Sequence, residues 1–118
     1  MKGWLSTHVL DLSSGSPAGN LQVELKMLKD PMPEILVKTF TNQEGRTDSP
    51  LLEGEKFVNG VYELSFYVGE YFKTKVKNLP QELFLDVIPI RFGIDNSNDH
   101  YHVPLLVSPY GYSTYRGS

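Results

Sequence analysis

The chain has 118 residues, no cysteine and a formal net charge of −3 at pH 7. This length supports one hydrophobic core and predicts a single domain over residues 1–118. The weak negative charge and the scattered Lys and Arg residues argue against nucleic acid as a partner, and the lack of cysteine excludes disulfides, thiolate metal sites and a cysteine nucleophile.

Membrane spans and a leader are also not expected. No apolar run approaches the roughly 18 residues that cross a bilayer, and Met1 to Trp4 lead into a strand-like segment without the apolar core of a signal peptide. We therefore expect a soluble, unprocessed chain with no membrane partner. The expected location is cytoplasmic, with the peroxisome or the periplasm as alternatives if a targeting extension is missing, and Arg116-Gly117-Ser118 is not a peroxisomal Ser-Lys-Leu address.

Alternation of apolar and polar residues predicts that most of the chain is β-strand. Between residues 21 and 27, Leu, Val, Leu and Met alternate with Gln, Glu and Lys, a period of two that is typical of a strand with one face on a core. Other runs are rich in Val, Ile, Phe and Tyr. The predicted strands are residues 5–12, 21–27, 35–41, 61–68, 83–94, 101–108 and 110–115. A short helix is predicted over 69–75, where the alternation lapses.

Turn residues separate these strands, as at Ser14-Gly15-Ser16-Pro17 and Asn59-Gly60. Short strands with such punctuation in a chain of this length are typical of a sandwich of two sheets. The sequence therefore predicts an all-β fold, an antiparallel β-sandwich of about eight strands with one short helix.

The three histidines are the first candidates for chemistry. In extended backbone, residues two apart point to one side, so His100 and His102 share a face with Pro104, and His8 shares a face with Ser6. Each imidazole could simply be a surface residue or a hydrogen-bonded core residue. Alternatively, His8, His100 and His102 could supply three zinc ligands, or a neutral imidazole could activate water at neutral pH.

The remaining motifs narrow these hypotheses. The chain has no His-Glu-x-x-His helix, and His-x-His alone is a weak metal signal, so the sequence predicts no metal and no other cofactor. Ser113 lies in Gly111-Tyr112-Ser113-Thr114-Tyr115, which lacks the second glycine of a Gly-x-Ser-x-Gly elbow and so argues against a serine nucleophile. Activation of water by an imidazole remains, and a metal hydrolase is kept as an alternative.

Two arginines have both a structural and a functional interpretation. Arg46 lies in the turn from Asn42 to Asp48 and could be an ordinary solvated residue. Its planar set of donors would also suit a ring with several carbonyls, both to orient the ring and to hold charge that develops when water adds. Arg116 has the same two interpretations.

Four segments together resemble the transthyretin-related family. They are Thr7-His8-Val9-Leu10-Asp11 with Gly15-Ser16-Pro17-Ala18, Thr41-Asn42 to Gly45-Arg46, Tyr62-Glu63-Leu64 with Tyr71-Phe72, and His100 to Ser118. Within that family, the hydrolase branch differs from the hormone carriers by a first-strand histidine, the arginine after the glycine, the His-x-His before Val-Pro-Leu-Leu, and the final Tyr-Arg-Gly-Ser. This chain has all four features.

The resemblance implies a transthyretin-like (prealbumin-like) sandwich that assembles as a homotetramer, a dimer of dimers with active sites in the channel between dimers. It implies cofactor-free hydrolysis of the lactam ring of 5-hydroxyisourate, giving 2-oxo-4-hydroxy-4-carboxy-5-ureidoimidazoline in urate degradation. The implied catalytic residues are His8, Arg46 and His102, and the implied substrate-binding residues are Tyr115, Arg116, Gly117 and Ser118. His100 is expected to be supporting or solvent-facing. The competing function within the same fold is a carrier of small aromatic ligands.

Overall fold

The computed structural model, which describes residues 2–117, places two β-sheets face to face. The strands are β1 (Trp4–Asp11), β2 (Ser16–Pro17), β3 (Gln22–Leu28), β4 (Glu34–Phe40), β5 (Leu52–Glu53), β6 (Gly60–Phe66), β7 (Ile88–Ile94), β8 (His100–Ser108) and β9 (Gly111–Thr114). The helix α1 is Val68–Lys75, and a single 3₁₀ turn covers Gly54–Lys56. The predicted β-sandwich with a short helix is confirmed.

Strand pairing brings the two ends of the chain together. The first sheet has the order β2-β1-β8-β9, with β5 also on β1, and the second has the order β4-β3-β6-β7. The antiparallel pairing predicted from the sequence holds everywhere except between β1 and β8, which run parallel with Ser6 beside His102 and His8 beside Pro104. Neighbours in register point to the same face, so the even-numbered residues of both strands share one surface.

The core lies between the sheets because the odd-numbered residues of β1 and β8 face inward. Leu5, Val9, Leu105 and Val107 have no exposed surface, whereas the intervening Ser6, His8, His100 and His102 are half-buried on the outer face. The second sheet contributes the facing apolar side chains, which include Val23, Leu25, Tyr62, Leu64 and Phe66. The period-two pattern therefore puts the apolar residues of β1 and β8 in the core and the candidate catalytic residues on the opposite face.

The predicted strand over 83–94 is too long, since β7 begins only at Ile88. The residues before it cross the start of α1, where the carbonyl of Asp86 accepts the N–H of Gly69 at 2.8 Å. The carbonyl of Asp86 therefore pairs with the helix. In a longer β7 this carbonyl would have paired with a neighbouring strand. The helix buries Tyr71 and Phe72, and no helix in residues 2–117 is long and apolar enough to cross a membrane.

Asp11 ties the end of β1 to this helix. It is 1% exposed, yet each carboxylate oxygen has donors: the backbone and hydroxyl of Ser13 at 2.9 and 2.6 Å on one, and the hydroxyl of Tyr71 at 2.8 Å on the other. Burial alone would raise the pKa of Asp11, but these hydrogen bonds outweigh it and hold the pKa below its ordinary value. The carboxylate is thus charged and stabilising at neutral pH.

We expect Tyr71→Phe to lower the free energy of unfolding by about 1.5–3 kcal/mol at pH 7, because one oxygen of a buried carboxylate loses its donor. Urea denaturation measures this loss. Since the folded-state pKa of Asp11 is depressed, its stabilising contribution is present above the unfolded value of about 3.9 and is lost as the pH falls through the folded value. The difference between variant and wild type should therefore shrink in acid. Tyr110→Phe, at a ring 64% exposed, is the control. A difference that is constant from neutral to acid pH would contradict the assignment.

Candidate active site

One polar wall forms on the outer face of the first sheet. Ser6 and His8 come from β1, and His100 and His102 come from β8, all with the same parity and all half-buried. His8 follows Ser6, the residue paired with His102, on the same face of β1, so the Cα atoms of His8 and His102 are diagonal neighbours about 8 Å apart by the spacing of strands and residues. The structure therefore brings together two histidines that lie at opposite ends of the sequence.

Arg46 is carried by a loop that Asn42 organises. The side-chain oxygen of Asn42 accepts the N–H groups of Glu44 at 2.9 Å and Arg46 at 3.2 Å. Its backbone N–H donates to the carbonyl of Arg46 at 2.6 Å, and its own carbonyl accepts from Gly45 at 2.9 Å. These four bonds give the loop a fixed shape before any ligand contacts it.

The same loop docks directly on β1. The N–H of Val9 donates to the carbonyl of Gly45 at 2.8 Å, and His8 and Arg46 form an isolated antiparallel bridge. Gly45 has a φ of +77°, and a Cβ there would press on the Val9 carbonyl and lie 3.2 Å from Cδ2 of His8. Only glycine meets both conditions, so it lets the loop place Arg46 beside His8.

The electrostatics of the wall favour neutral imidazoles. Burial lowers the pKa of His8 below the ordinary value, and Arg46 lowers it further, while the Glu44 backbone and carboxylate oppose this. Burial is also the main cause that lowers the pKa of His102, followed by Arg46, His100 and His8. A neutral imidazole has a lone pair at neutral pH and can accept a proton from water.

Sequence reasoning missed the contacts of Ser6. Its hydroxyl lies 2.8 Å from Nε2 of His100 and 2.8 Å from Nδ1 of His102, and the ring of His100 stacks on Trp4 with centroids 4.1 Å apart. The shared parity of Ser6 and His8 was the available signal, but only the parallel pairing of β1 with β8 shows which histidines Ser6 meets. His100, expected to be supporting or solvent-facing, contacts both of these neighbours.

The tail joins the wall at Gly117. Its N–H donates to the carbonyl of His102 at 2.7 Å, and the two residues form an isolated bridge. A Cβ on Gly117 would lie 2.6 Å from Cδ2 and 3.2 Å from Cβ of His102. The tail can approach the imidazole this closely only because residue 117 has no side chain.

The other predicted tail residues lie elsewhere. The guanidinium of Arg116 stacks over Tyr101, 4.0 Å from the ring centroid, and lies 3.7 Å from the carboxylate of Asp99. Tyr115 is 59% exposed and, with Arg116 and Tyr101, lines a cavity of about 240 Å³ at the edge of the sandwich. The structure therefore unites His8, Arg46, His102 and Gly117 but not Tyr115 and Arg116, and Ser118 lies outside the described residues.

The four wall residues are half-buried, so the wall keeps partial contact with solvent. A groove of about 980 Å³ elsewhere on the chain runs past Asp11, Tyr71 and Lys75 and contains none of the predicted catalytic residues. Within residues 2–117, no three His, Asp or Glu side chains converge so that they could hold a metal ion. The geometry of this part of the chain thus gives no support to a metal site on the three histidines, and leaves a guanidinium and two neutral imidazoles that could act on a polar ring.

Comparison with known proteins gives a consistent result. The profile described as "Transthyretin: HIUase/Transthyretin family" matches residues 5–117. A relative from Halalkalibacterium halodurans (strain C-125) named 5-hydroxyisourate hydrolase is 53% identical, covering 100% of both chains. The solved 5-hydroxyisourate hydrolase of Klebsiella pneumoniae superposes with a TM-score of 0.80 at 34% identity, over 98% of this chain and 99% of that one. A solved structure titled (S)-allantoin synthase has a TM-score of 0.94 at 48% identity over 99% of this chain, which spans 44% of its length.

The family predicted from the four sequence segments is thereby confirmed: this chain belongs to the HIUase/transthyretin family.

Proposed function

We propose that this chain hydrolyses 5-hydroxyisourate without a cofactor, opening its lactam ring to give 2-oxo-4-hydroxy-4-carboxy-5-ureidoimidazoline. The observation that carries the proposal is the meeting of His8, Arg46 and His102 on one half-buried face. Relatives named 5-hydroxyisourate hydrolase, 53% and 50% identical over nearly the whole chain, support the substrate.

The chemistry follows from those three groups. One of the two neutral imidazoles takes a proton from water while the water oxygen bonds to the lactam carbonyl carbon. The carbonyl oxygen becomes an oxyanion, and the guanidinium of Arg46 holds its charge. The C–N bond then breaks, and the imidazolium returns its proton to the departing ring nitrogen. The products are a carboxyl group and an N–H group, so atoms and charges balance.

The tail and a second copy of the chain would complete the pocket. We propose that Tyr115, Arg116, Gly117 and Ser118 bind the substrate ring, with Gly117 already against His102. The polar wall is flanked by exposed apolar residues, including Trp4 and Leu12, which are 40% and 51% exposed. Such a surface suits coverage by another protomer, which supports the homotetramer implied by the family resemblance. A single domain over residues 1–118 and a cytoplasmic location complete the proposal.

Replacing Arg46 or His102 by alanine should remove most of the activity. We expect Arg46→Ala to lower kcat by about 10²–10³, the usual cost of losing one oxyanion donor, and His102→Ala to lower it by about 10²–10⁴ if His102 is the base. The measurement is the loss of absorbance of freshly generated 5-hydroxyisourate, corrected for its spontaneous decay.

Lys73→Ala is the control for Arg46→Ala, because Lys73 is an exposed cation that pairs with Glu70 on α1. It should keep wild-type activity. If the wild-type protein left the spontaneous decay unchanged while binding aromatic ligands in a calorimeter, the carrier function would replace the hydrolase.

The pH profile reports the neutral imidazoles. Since burial and Arg46 lower the pKa values of His8 and His102, kcat/KM should stay high at neutral pH and fall only below the ordinary imidazole value of about 6.5. In Arg46→Ala the acid limb of the residual activity should move to higher pH. The cation that disfavoured the imidazolium is gone, so the pKa of the base rises. An acid limb that does not move in this variant would show that Arg46 is too far from the titrating base.

Gly117→Ala tests the approach of the tail. A Cβ 2.6 Å from His102 must displace either the imidazole or the tail, so kcat should fall at least about tenfold with little change in the free energy of unfolding. Gly111→Ala is the matched control, because a Cβ there would meet only the hydroxyl oxygen of Ser108, at an ordinary contact distance of 3.9 Å. Equal activity of the two variants would mean that the tail backbone is not part of the site.

A further inference from the structure

The Ser6 hydroxyl lies between two imidazoles and cannot donate a hydrogen bond to both. Its oxygen is 2.8 Å from Nε2 of His100 and 2.8 Å from Nδ1 of His102. A serine hydroxyl has one hydrogen, so it can donate to only one of the two nitrogens and must accept from the other. At least one of the two ring nitrogens must therefore carry a hydrogen and donate it to Ser6.

Three arrangements satisfy both hydrogen bonds. In the first, Nδ1–H of His102 donates to Ser6, and the Ser6 hydroxyl donates to Nε2 of His100. In the second, Nε2–H of His100 donates to Ser6, and Ser6 donates to Nδ1 of His102. In the third, both nitrogens carry hydrogens and donate to Ser6, and the Ser6 hydrogen takes an acceptor outside the two rings. The first and the third leave the lone pair of His102 on Nε2, across the ring from Ser6. The second places a proton there, so a neutral His102 could no longer accept one.

We propose that Ser6 and His100 are positioning residues that hold His102 as the tautomer protonated on Nδ1, so that Nε2 accepts the proton from the attacking water. This inference rests on the proposed hydrolysis and deepens it, because it names His102 as the base and the atom that reacts. When Nε2 gains its proton, Nδ1–H keeps its bond to Ser6. The hydrogen-bonded groups of His102, Ser6 and His100, which we call the relay, do not need to rotate during the reaction. This is the advantage of the first arrangement over the second.

His100 is held in place as the end of this relay. Its ring stacks on Trp4 with centroids 4.1 Å apart and planes inclined by 16°. Its carbonyl accepts a 3.5 Å hydrogen bond from Arg116, which in turn lies 3.7 Å from Asp99. An acceptor fixed in this way gives the Ser6 hydrogen one defined direction.

His100 also affects the charge of His102. Burial lowers the pKa of His102, and Arg46, His100 and His8 lower it further, so positive charge on this wall opposes the imidazolium that forms during turnover. A neutral imidazole can accept the Ser6 hydrogen bond, which a doubly protonated ring could not do.

The tautomer is measured directly by ¹⁵N NMR of protein labelled at histidine, at mildly alkaline pH. We expect Nδ1 of His102 to show the shift of a protonated nitrogen and Nε2 that of an unprotonated one. The signals that disappear in His102→Ala and in His100→Gln are those of His102 and His100, which assigns them. A wild-type spectrum with either His102 or His100 protonated on Nε2 would overturn the proposal, and this readout does not depend on the substrate.

Kinetics of four variants test the relay in turnover. Ser6→Ala removes the bridging hydroxyl, and Ser6→Thr keeps it on a residue that suits a strand. His100→Leu removes the acceptor, whereas His100→Gln offers an amide oxygen in its place. We expect Ser6→Ala and His100→Leu to lower kcat at least about tenfold with KM within about twofold, as for loss of a partner that orients a metal-bound histidine. Ser6→Thr and His100→Gln should recover most of the rate.

Ser16→Ala, at an exposed serine of β2, is the matched control and should behave as wild type. Wild-type kcat in Ser6→Ala would overturn the relay while leaving the hydrolase intact. A loss of kcat that neither Ser6→Thr nor His100→Gln recovers would also overturn it, because it would show that packing, not hydrogen bonding, supports His102. If the wild-type protein were inactive toward 5-hydroxyisourate, the function would fail, and the NMR experiment would still decide the tautomer.

Discussion

The parallel pairing of β1 with β8 is the constraint on which the rest of the site depends. It sets Ser6 beside His102 and His8 beside Pro104, with both strands burying their odd-numbered residues. A shift of one residue in either strand would turn its imidazoles into the core and its apolar side chains outward. The hydrophobic effect that seals the core therefore also fixes which polar groups share the outer face. The same alternation of residues thus determines both the core face and the polar face of β1 and β8.

The site also needs a cation close to these imidazoles, and this cation must not be neutralised by an ion pair. The Asn42 loop meets this requirement through backbone hydrogen bonds, which leave the guanidinium of Arg46 out of the network that shapes the loop. Its positive charge adds to the effect of burial in keeping both imidazoles unprotonated. The same charge is then available for the oxyanion of the proposed reaction.

The sequence could predict local features well and contacts between distant segments poorly. Period-two alternation identified the faces on which His8 and His102 lie, and turn residues around Asn42 and Gly45 located the loop that carries Arg46. Nothing local could show that β1 and β8 are parallel neighbours, so the contacts of Ser6 with His100 and His102 were missed. The predicted strand over 83–94 failed at its start because the cap of α1 takes a backbone group of residue 86. Arg116 stacks on Tyr101, a contact that only the tertiary structure shows, and its binding of substrate stays a prediction. The family resemblance supplied the grouping of His8, Arg46 and His102, and their catalytic roles stay predictions.

The hydrogen bonds of Ser6 join residues that are 94 and 96 positions apart in the sequence. The central pair of the first sheet cannot form until β8 has left the ribosome, and contacts of such long range form late and slowly during folding. A nascent chain that has not yet released β8 therefore contains His8 and Arg46 but lacks the histidines beside which they lie in the folded protein. The polar wall is assembled only after translation has passed β8.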